Sequence, residues 1–410
     1  MASVAHLAAL GQIMKIALLC SGLGNVFRGH EVFARDLFKL LKDDISITLF
    51  KGGGEFAPGE LVIDNIPRDS SCLAHVHVAA SPKWSAAVQA EERSRIEAET
   101  FAYAALKFLL EGEFDVIHCL EREVCNVIFE NRHLFRVTPR ILFSNGGAIP
   151  AWDLPRCDFV QEHTELNLAH SAKGKSFLIP HGVDVDAFRP GVVSDFRRRN
   201  GIPADAFLVI SVGAVSYGHK RMDYVIREVA AVGDAYLLVV GQPTKDTADI
   251  VDLGRSLMGD RVLFATVEHR DLPGLYAAAD VFVLGSVFET FGIVYIEAMS
   301  MGLPVICTNH PNQRAIVKEG IFIDVTRSGA LAQAIRDADR AWLAELGRRG
   351  REIVLENYDL RLLKKHYIER YRWIAASTVR LPAYGWKNRL QANARNTARK
   401  LVRRFTGSAE

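Results

Sequence analysis

The fold is decided by residues 280–304, which read DVFVLGSVFETFGIVYIEAMSMGLP. An apolar run of strand length is followed by a loop at 285–291 and by a helical segment at 292–301, which Gly302 and Pro304 end. The same order of strand, loop and helix recurs on both sides of this stretch. Strands that alternate with helices predict parallel sheets with helices on both faces.

The alternation occurs in two blocks, and we predict an α/β fold of two doubly wound, Rossmann-like domains that face each other across a cleft. It pauses around residues 179–190, so we place an N-terminal domain at 14–187 and a C-terminal domain at 188–360. Predicted strands lie at 16–20, 45–50, 114–119, 140–143, 207–212, 235–240, 262–265, 280–284 and 304–308. Ligands of such sheets bind beyond the carboxyl ends of the strands. The loops at that edge are 21–29, 213–220, 285–291 and 308–313.

Composition describes a large globular chain with a local basic segment. The 410 residues are 49% hydrophobic and 24% charged, which supports more than one core and excludes a peptide or a disordered chain. The formal net charge is +2, yet residues 381–410 hold seven Lys or Arg against one acid. Because the positive charge is confined to this segment, we expect an anionic surface as its partner and no nucleic acid.

Cysteine spacing and hydropathy indicate the compartment. The six cysteines contain no C-x-x-C pair, so neither a disulfide framework nor a zinc site is predicted. No apolar run approaches the roughly twenty residues of a membrane-spanning helix. Residues 1–13 lack the basic start of a signal peptide and are interpreted as an extension before the first strand. We therefore predict a cytoplasmic protein.

The first candidate site segment is the loop and helix start of the opening stretch. Glu289 and Thr290 precede the helix, and Gly292 and Ile293 open it with unpaired N–H groups that suit an anion. Glu297 lies further along the helix, where its carboxylate can accept two hydroxyl hydrogen bonds from a ribose. From position alone, a capping Glu289 and a solvated Glu297 are equally good interpretations.

The second candidate segment is the loop that ends in His219, Lys220 and Arg221. Cations at a helix start oppose the helix dipole, so their presence there indicates an external anion. Transfer of a group from a nucleoside diphosphate leaves negative charge on the departing diphosphate. Lys220 and Arg221 would stabilise that charge without a metal. A solvated helix start is the alternative interpretation.

Gly24 and Gly29 lie in the first loop of the N-terminal domain, where glycine lets backbone approach a ligand across the cleft. They do not complete the dinucleotide motif G-x-G-x-x-G, because residue 27 is Phe. The pair Asp184 and Asp186 is interpreted as a turn. We predict no metal and no other cofactor.

Together these residues resemble the retaining glycosyltransferases of the GT-B fold, family 4, which use nucleotide-activated sugars. Glu289 and Glu297 match the family's E-x7-E motif, residues 179–190 its NGVD…F.P turn, and Lys220 its diphosphate lysine. The resemblance covers residues 15–324, which is most of the chain, and its motifs are densest in the second half.

The resemblance implies a role for each matching residue. Glu289 would lie by the donor sugar, Glu297 would bind the nucleotide ribose, and the base would pack near Val267. The catalytic residues would be Glu289, Lys220 and Arg221. The donor-binding residues would be Gly24, Gly29, Val267, Thr290, Phe291, Gly292, Ile293 and Glu297. Retention in such enzymes is thought to use front-face attack, with the leaving phosphate helping to deprotonate the acceptor.

Two positions depart from the family pattern. The arginine that commonly stands six residues before the lysine is Ala214 here, so Arg221 or His219 would supply the second cation. The second histidine of the family's DVIHxH strand is Leu120. His118, the first histidine, is interpreted as a core residue.

Residues 361–380 resemble the family's terminal helix, which crosses back to the first domain. Beyond it, residues 381–410 form a basic tail, and 386–405 have the apolar and basic spacing of an amphipathic helix on an anionic membrane surface. A solvated basic tail is the equal alternative.

The predicted function is a hexosyltransferase-type, retaining, metal-independent glycosyltransferase. It would move a sugar from a UDP- or GDP-sugar to a hydroxyl acceptor, sugar- or lipid-linked, in bacterial polysaccharide, O-antigen or glycolipid assembly, in the cytoplasm or on the inner face of the plasma membrane. A non-catalytic sugar-nucleotide-binding protein is the main alternative, because Ala214 and Leu120 weaken the catalytic set. A nicotinamide oxidoreductase lacks its motif, and a glycoside hydrolase would need both glutamates to flank one bond.

Overall fold

The computed structural model describes residues 14–26, 29–75 and 86–378. The expectations for the N-terminal extension and for the basic tail, including 386–405, lie outside these residues. Within them the chain forms two parallel sheets, and helices cover both faces of each.

The first sheet is built from the N-terminal part of the chain. Its strands are β1 (Lys15–Cys20), β2 (Ser46–Lys51), β3 (Glu60–Val62), β4 (Val116–Cys119), β5 (Arg140–Ser144), β6 (Phe159–Glu162) and β7 (Ser176–Leu178). Its helices are α1 (Gly29–Leu41), α2 (Ala86–Gly112), α3 (Arg122–Glu130) and α4 (Glu165–His170). The order is β3-β2-β1-β4-β5-β6-β7, and every pairing is parallel. The direction of winding therefore reverses between β1 and β4, which is the switch point of this sheet.

The second sheet repeats this topology. Its strands are β8 (Leu208–Val212), β9 (Tyr236–Val240), β10 (Val262–Ala265), β11 (Val281–Val283), β12 (Val305–Thr308) and β13 (Ile321–Ile323). The helices are α5 (Phe196–Arg199), α6 (Met222–Ala230), α7 (Thr247–Met258), α8 (Leu272–Tyr276), α9 (Ile293–Ser300), α10 (Pro311–Val317), α11 (Ala330–Asp337) and α12 (Arg340–Asn357). The order β10-β9-β8-β11-β12-β13 places the switch point between β8 and β11.

The predicted class, two doubly wound parallel sheets, is confirmed. Predicted and observed strand ends differ by at most two residues, and the helical segment predicted at 292–301 is a helix over Ile293–Ser300. Strands β3, β6, β7 and β13 were not predicted, because each contains an apolar run of only two or three residues, which is too short to stand out from a loop. The expected turn is present at Asp184, whose Oδ1 accepts the backbone N–H groups of Asp186 and Ala187 at 3.0 and 3.1 Å.

One glycine contact joins the first two loops of the first sheet. Gly24 has a φ of +95°, which disfavours any residue with a side chain. A Cβ at this position would lie 2.1 Å from the carbonyl carbon and oxygen of Gly53. The loop after β1 therefore rests on the backbone that follows β2.

The last described helix, α13 (Leu360–Ala375), returns to the first sheet after the chain has completed the second. Its buried residues, Leu363, Tyr367, Tyr371 and Ile374, pack in the same cluster as α1 and β1. The Tyr367 hydroxyl accepts a hydrogen bond from Gln161 Nε2 at 2.7 Å, and the Tyr371 hydroxyl lies 2.8 Å from His118 Nδ1. His118 is fully buried under this helix, as expected for a core residue.

Replacing Tyr371 by phenylalanine tests how far α13 stabilises the first sheet. We expect the Tyr371→Phe substitution to lower the free energy of unfolding by about 1–3 kcal/mol, because His118 loses its partner in a buried site. Urea unfolding followed by circular dichroism measures this difference. Tyr103→Phe, which removes an exposed hydroxyl from α2, is the matched control. Equal stability of the two variants would contradict the assignment.

Candidate functional site

The centre of the site is the carboxylate of Glu289, at the switch point of the second sheet. Glu289 follows β11, and the loop after β8 brings Lys220 and His219 to it. Its Oε1 lies 2.5 Å from Lys220 Nζ and 3.1 Å from His219 Nε2, and it accepts a hydrogen bond from Ser286 Oγ at 2.6 Å. Only 6% of Glu289 is exposed. A buried carboxylate needs such donors to stay charged.

These contacts set the charge of the site. Burial works to raise the pKa of Glu289, but the hydrogen bond from His219 and the charge and hydrogen bond of Lys220 outweigh it and lower the pKa from 4.5 to about 2. Glu289 is therefore ionised at neutral pH. Lys220 is held in place by packing as well, since a Cβ on Gly213 would lie 3.1–3.2 Å from its aliphatic carbons.

Helix α10 fixes the backbone of the Glu289 loop. Asn312 Nδ2 donates to the carbonyl oxygens of Glu289 and Thr290 at 2.9 and 2.6 Å, and Gln313 Nε2 donates to that of Glu289 at 2.7 Å. Both amide side chains are fully buried. The loop that leads into α9 is thus held through the Glu289 side chain by Lys220 and His219, and through its backbone by α10.

Helix α9 begins immediately after a glycine in the left-handed backbone region. Gly292 has a φ of +81°, and a Cβ there would meet the ring of Tyr295 at 2.6 Å, so the position requires glycine. Ile293 is the first helical residue. Tyr295 N donates to the Gly292 carbonyl oxygen at 2.9 Å. The N–H groups of Ile293 and Val294 lie too early in the helix for an intrahelical acceptor, which makes the start of α9 suitable for an anion.

The carboxylate of Glu297 lies further along α9 and is also buried, with 3% exposure. Its Oε1 lies 2.7 Å from His269 Nε2, and its Oε2 accepts a hydrogen bond from the Tyr276 hydroxyl at 3.0 Å. Burial opposes a charge on His269, but the hydrogen bond to Glu297 outweighs it and raises the pKa of the imidazole. The solvated alternative for Glu297 is therefore wrong.

The two domains meet beside Glu297 and His269. Arg35 Nη2, from α1 of the first domain, lies 3.3 Å from His269 Nδ1. An ideal Cβ on Gly29 would lie 3.9 Å from Ile293 Cδ1, so the start of α1 faces the start of α9. Phe291 is buried and packs its ring 5.0 Å from that of His181 in the turn between the domains.

Among the sequence-predicted site residues, the structure brings together Glu289, Thr290, Phe291, Gly292, Ile293, Glu297 and Lys220, with Gly29 facing them. Arg221 is engaged elsewhere: its Nη1 donates to the carbonyl of Val325 at 2.8 Å, and its guanidinium stacks on Tyr224. Val267 packs at the margin of the apolar core of the second sheet. The close contact of Gly24 is with Gly53 rather than with the second domain.

Several residues of the site were not predicted. They contact one of the two glutamates through its side chain or its backbone. Glu289 is contacted by Ser286, Asn312 and Gln313, and Glu297 is contacted by His269 and Tyr276. The available signal was position, because Ser286 lies in the loop after β11, and Asn312 and Gln313 lie in the first turn of α10, shortly after the neighbouring strand β12. No local motif marks His269, which reaches Glu297 only through the fold.

One group in the described residues offers a possible set of metal ligands: Cys20, His30 and Glu121 each place an atom within 4.8 Å of the others. Burial raises the pKa of the Cys20 thiol well above its usual value. Burial alone would lower the pKa of His30, but the adjacent carboxylates of Glu121 and Glu31 raise it to about 10. A metal needs a thiolate and a neutral imidazole, so this group fits a hydrogen-bonded cluster better than a metal site.

One family model matches the second domain. Residues 206–338, which include all of the second sheet and the site around Glu289, match the family model described as glycosyl transferases group 1. The similarity to that family thus lies in the second domain.

Two curated relatives carry the same name. The D-inositol 3-phosphate glycosyltransferase of Xylanimonas cellulosilytica is 32% identical over 238 residues, which are 54% of this chain and 52% of that protein. The protein of that name from Mycolicibacterium gilvum is 31% identical over 188 residues, 44% of this chain and 40% of its own length. The chain spans about half the length of the curated relatives it matches, or less.

Solved structures share the whole architecture. Sucrose-phosphate synthase from Thermosynechococcus elongatus superposes with a TM-score of 0.73 and 22% identity, covering 89% of this chain and all of that one. HepE from Anabaena, solved in complex with UDP and glucose, has a TM-score of 0.68 and 17% identity over 87% of this chain and 99% of its own. At these identities the likeness concerns the fold, which is the predicted GT-B fold.

The charge of Glu289 predicts a pH dependence of stability. Its pKa in the folded protein, about 2, lies below the ordinary 4.5, so its ionisation stabilises the fold above pH 4.5 and this contribution disappears as the pH falls toward 2. We expect the difference in unfolding free energy between the parent and Glu289→Gln to shrink by about 3 kcal/mol over that interval. Urea titrations at several pH values measure it.

A control variant is needed because any removed carboxylate changes the net charge. Glu356→Gln removes an exposed carboxylate from α12 and serves this purpose. A difference between parent and Glu289→Gln that stays constant between pH 5 and about pH 2 would show that the Lys220 contact does not hold the charge of Glu289.

Proposed function

We propose that the protein is a retaining, metal-independent glycosyltransferase that transfers a hexosyl group from a UDP- or GDP-sugar to a hydroxyl acceptor. The observation that carries this proposal is the contact of Glu289 with Lys220 beside the start of α9, inside the region that matches the glycosyl transferases group 1 family. It combines a fixed cation, a fixed carboxylate and free N–H groups at one edge of a parallel sheet.

The donor would lie across the start of α9. Its diphosphate would accept hydrogen bonds from the first N–H groups of the helix and face Lys220. The ribose hydroxyls would bind Glu297, whose two oxygens are already oriented by His269 and Tyr276. HepE, which has this fold, was solved with UDP-glucose, and this supports a uridine nucleotide as the first candidate donor.

In the proposed reaction, the bond between the anomeric carbon and the leaving phosphate oxygen breaks while the acceptor oxygen bonds to the same face of that carbon. The acceptor proton passes to the departing phosphate. Lys220 offsets the negative charge that develops there, and it needs no reorganisation because Glu289 already holds its ammonium group in position. Arg221 would take part only after leaving the Val325 carbonyl.

We place the reaction in bacterial polysaccharide, O-antigen or glycolipid assembly, with a sugar- or lipid-linked acceptor. A structural neighbour, WaaG, is described as a glycosyltransferase of lipopolysaccharide biosynthesis, which supports this class of pathway. In the described part of the chain, no helix combines the length and apolarity needed to cross a bilayer. Residues 386–405 would hold the protein on the inner face of the plasma membrane, and we propose no nucleic-acid partner.

Replacing Lys220 separates chemistry from binding. We expect Lys220→Met to lower kcat by about a hundredfold or more, because the transition state loses its fixed cation, and to change donor affinity by less than about tenfold. Release of nucleoside diphosphate from a UDP- or GDP-sugar measures kcat, and calorimetry measures affinity. Lys245→Met, on an exposed lysine, is the control. Equal losses in kcat and affinity would contradict a role in the transition state.

Replacing Glu297 tests the ribose site and metal independence together. We expect UDP or GDP to bind the parent equally with and without EDTA, and Glu297→Ala to weaken this binding at least about tenfold, since two charge-assisted hydrogen bonds are lost. Tyr276→Phe, which keeps the carboxylate, should have a smaller effect. Unchanged affinity in Glu297→Ala would overturn the ribose assignment. Binding without turnover would favour a sugar-nucleotide-binding protein.

A further inference from the structure

The carboxylate of Glu297 is linked to the first domain through one imidazole. His269 Nε2 lies 2.7 Å from Glu297 Oε1, and Nδ1 of the same ring lies 3.3 Å from Arg35 Nη2, which belongs to α1. The ring also packs 5.2 Å from that of Phe188. Arg35, His269 and Glu297 thus form a relay that runs from the first domain to the proposed ribose site of the second.

The chemistry of the guanidinium fixes the direction of this relay. Arginine carries five N–H donors and no acceptor, so Arg35 can only donate to His269 Nδ1. Nδ1 accepts a hydrogen bond only when it carries no proton, which makes the imidazole neutral with its single proton on Nε2. The Nε2–H group then donates to Glu297 Oε1. Contact with Arg35 therefore selects both the charge state and the tautomer of His269.

The titratable and charged groups around the ring act on its proton in opposite directions. They come from three helices and are Arg35 and Asp36 of α1, Tyr276 of α8 and Glu297 of α9. Burial disfavours a proton on the ring, and so does the charge of Arg35. The carboxylates of Glu297 and Asp36 favour it and raise the pKa of the imidazole above its ordinary 6.5. Both domains therefore contribute to the balance.

The residues that flank His269 in sequence do not enter this balance directly. Glu268 and Arg270 pair with each other at 3.0 Å, and both are exposed. An exposed pair of opposite charges has little effect on a group beside it, because water and salt screen it. The contacts of the ring itself, with Glu297 on one nitrogen and Arg35 on the other, are the ones that decide its charge.

The charge of His269 determines how strongly Glu297 can bind a hydroxyl group. An imidazolium at 2.7 Å would form an ion pair and offset the charge of the carboxylate. A neutral imidazole donates one hydrogen bond and leaves that charge in place. Hydrogen bonds to an ionised acceptor are roughly twice as strong as those between neutral groups. Glu297 is 3% exposed, so water screens this difference little.

We infer that Arg35 is a positioning residue of the nucleotide site, supplied by the first domain. By donating to His269 it favours the neutral imidazole and leaves the negative charge of Glu297 available to ribose hydroxyls. The inference rests on the proposed function, in which Glu297 binds the ribose. Ribose recognition in one domain then depends on a side chain of the other, and it strengthens as the pH rises and His269 loses its proton.

The test compares two ligands that differ only at the ribose. UDP or GDP, whichever binds, and its 2′-deoxy analogue are titrated into the full chain by calorimetry from about pH 6 to about pH 9. Both ligands carry the same diphosphate, so its attraction to a charged imidazole cancels in the ratio of the two dissociation constants. We expect the parent to prefer the ribonucleotide by about tenfold or more at the upper end of this range, and less as the pH falls.

Two variants separate the relay from a merely structural role of Arg35. Arg35→Met should lower the ribonucleotide preference by about threefold or more near pH 7 and regain it near pH 9, because His269 keeps its proton to a higher pH without the guanidinium. His269→Gln supplies an amide that can donate to Glu297 and accept from Arg35 but does not titrate. Its preference should be independent of pH.

Lys39→Met is the matched control, because it removes the same charge from an exposed position one turn further along α1. It should behave as the parent does. A preference that Arg35→Met leaves unchanged, or lowers without recovery at high pH, would overturn the inference, as would a pH dependence that persists in His269→Gln. A parent that binds no nucleoside diphosphate, or binds both ligands equally at every pH, would instead contradict the proposed function or its ribose assignment.

Discussion

The need to keep one buried carboxylate ionised organises the second domain. Glu289 has little contact with water, so its charge depends on donors that the protein supplies. Lys220 and His219 come from the loop after β8, Ser286 comes from its own loop, and both loops meet because β8 and β11 are neighbours at the switch point. Without that strand order the carboxylate would lose both Lys220 and His219 and would keep only the hydroxyl of Ser286.

The same constraint explains the buried amides beneath the loop. If the loop were held only through the carboxylate of Glu289, it would move whenever a ligand changed the contacts of that carboxylate. Asn312 and Gln313 instead hold the backbone of Glu289 and Thr290. The start of α9 therefore stays in place independently of the contacts of the Glu289 side chain. A rigid backbone beside a preformed ion pair is a suitable arrangement for a charged substrate.

Sequence predicted the fold better than the details of the site. Long apolar strands alternating with helices determine a doubly wound sheet, and the spacing of Glu289 and Glu297 marks the loop and helix between them. Arg221 shows the limit, because its backbone adopts a φ of +48° and its guanidinium binds Val325, a contact between residues far apart in sequence. His269 was missed for the same reason, since it acts through Glu297, a partner that only the folded chain supplies.

Helix α13 makes the first domain discontinuous in sequence. The chain leaves the first sheet after β7, forms the whole second domain, and only then supplies the helix that covers α1 and β1. A fragment that stops at residue 187 would expose the apolar surface on which Leu363, Tyr367 and Tyr371 lie, and would leave His118 uncovered. The second domain is in effect an insertion within the first, so during synthesis the first domain cannot reach its final packing until the whole second domain and then Leu360–Ala375 have left the ribosome.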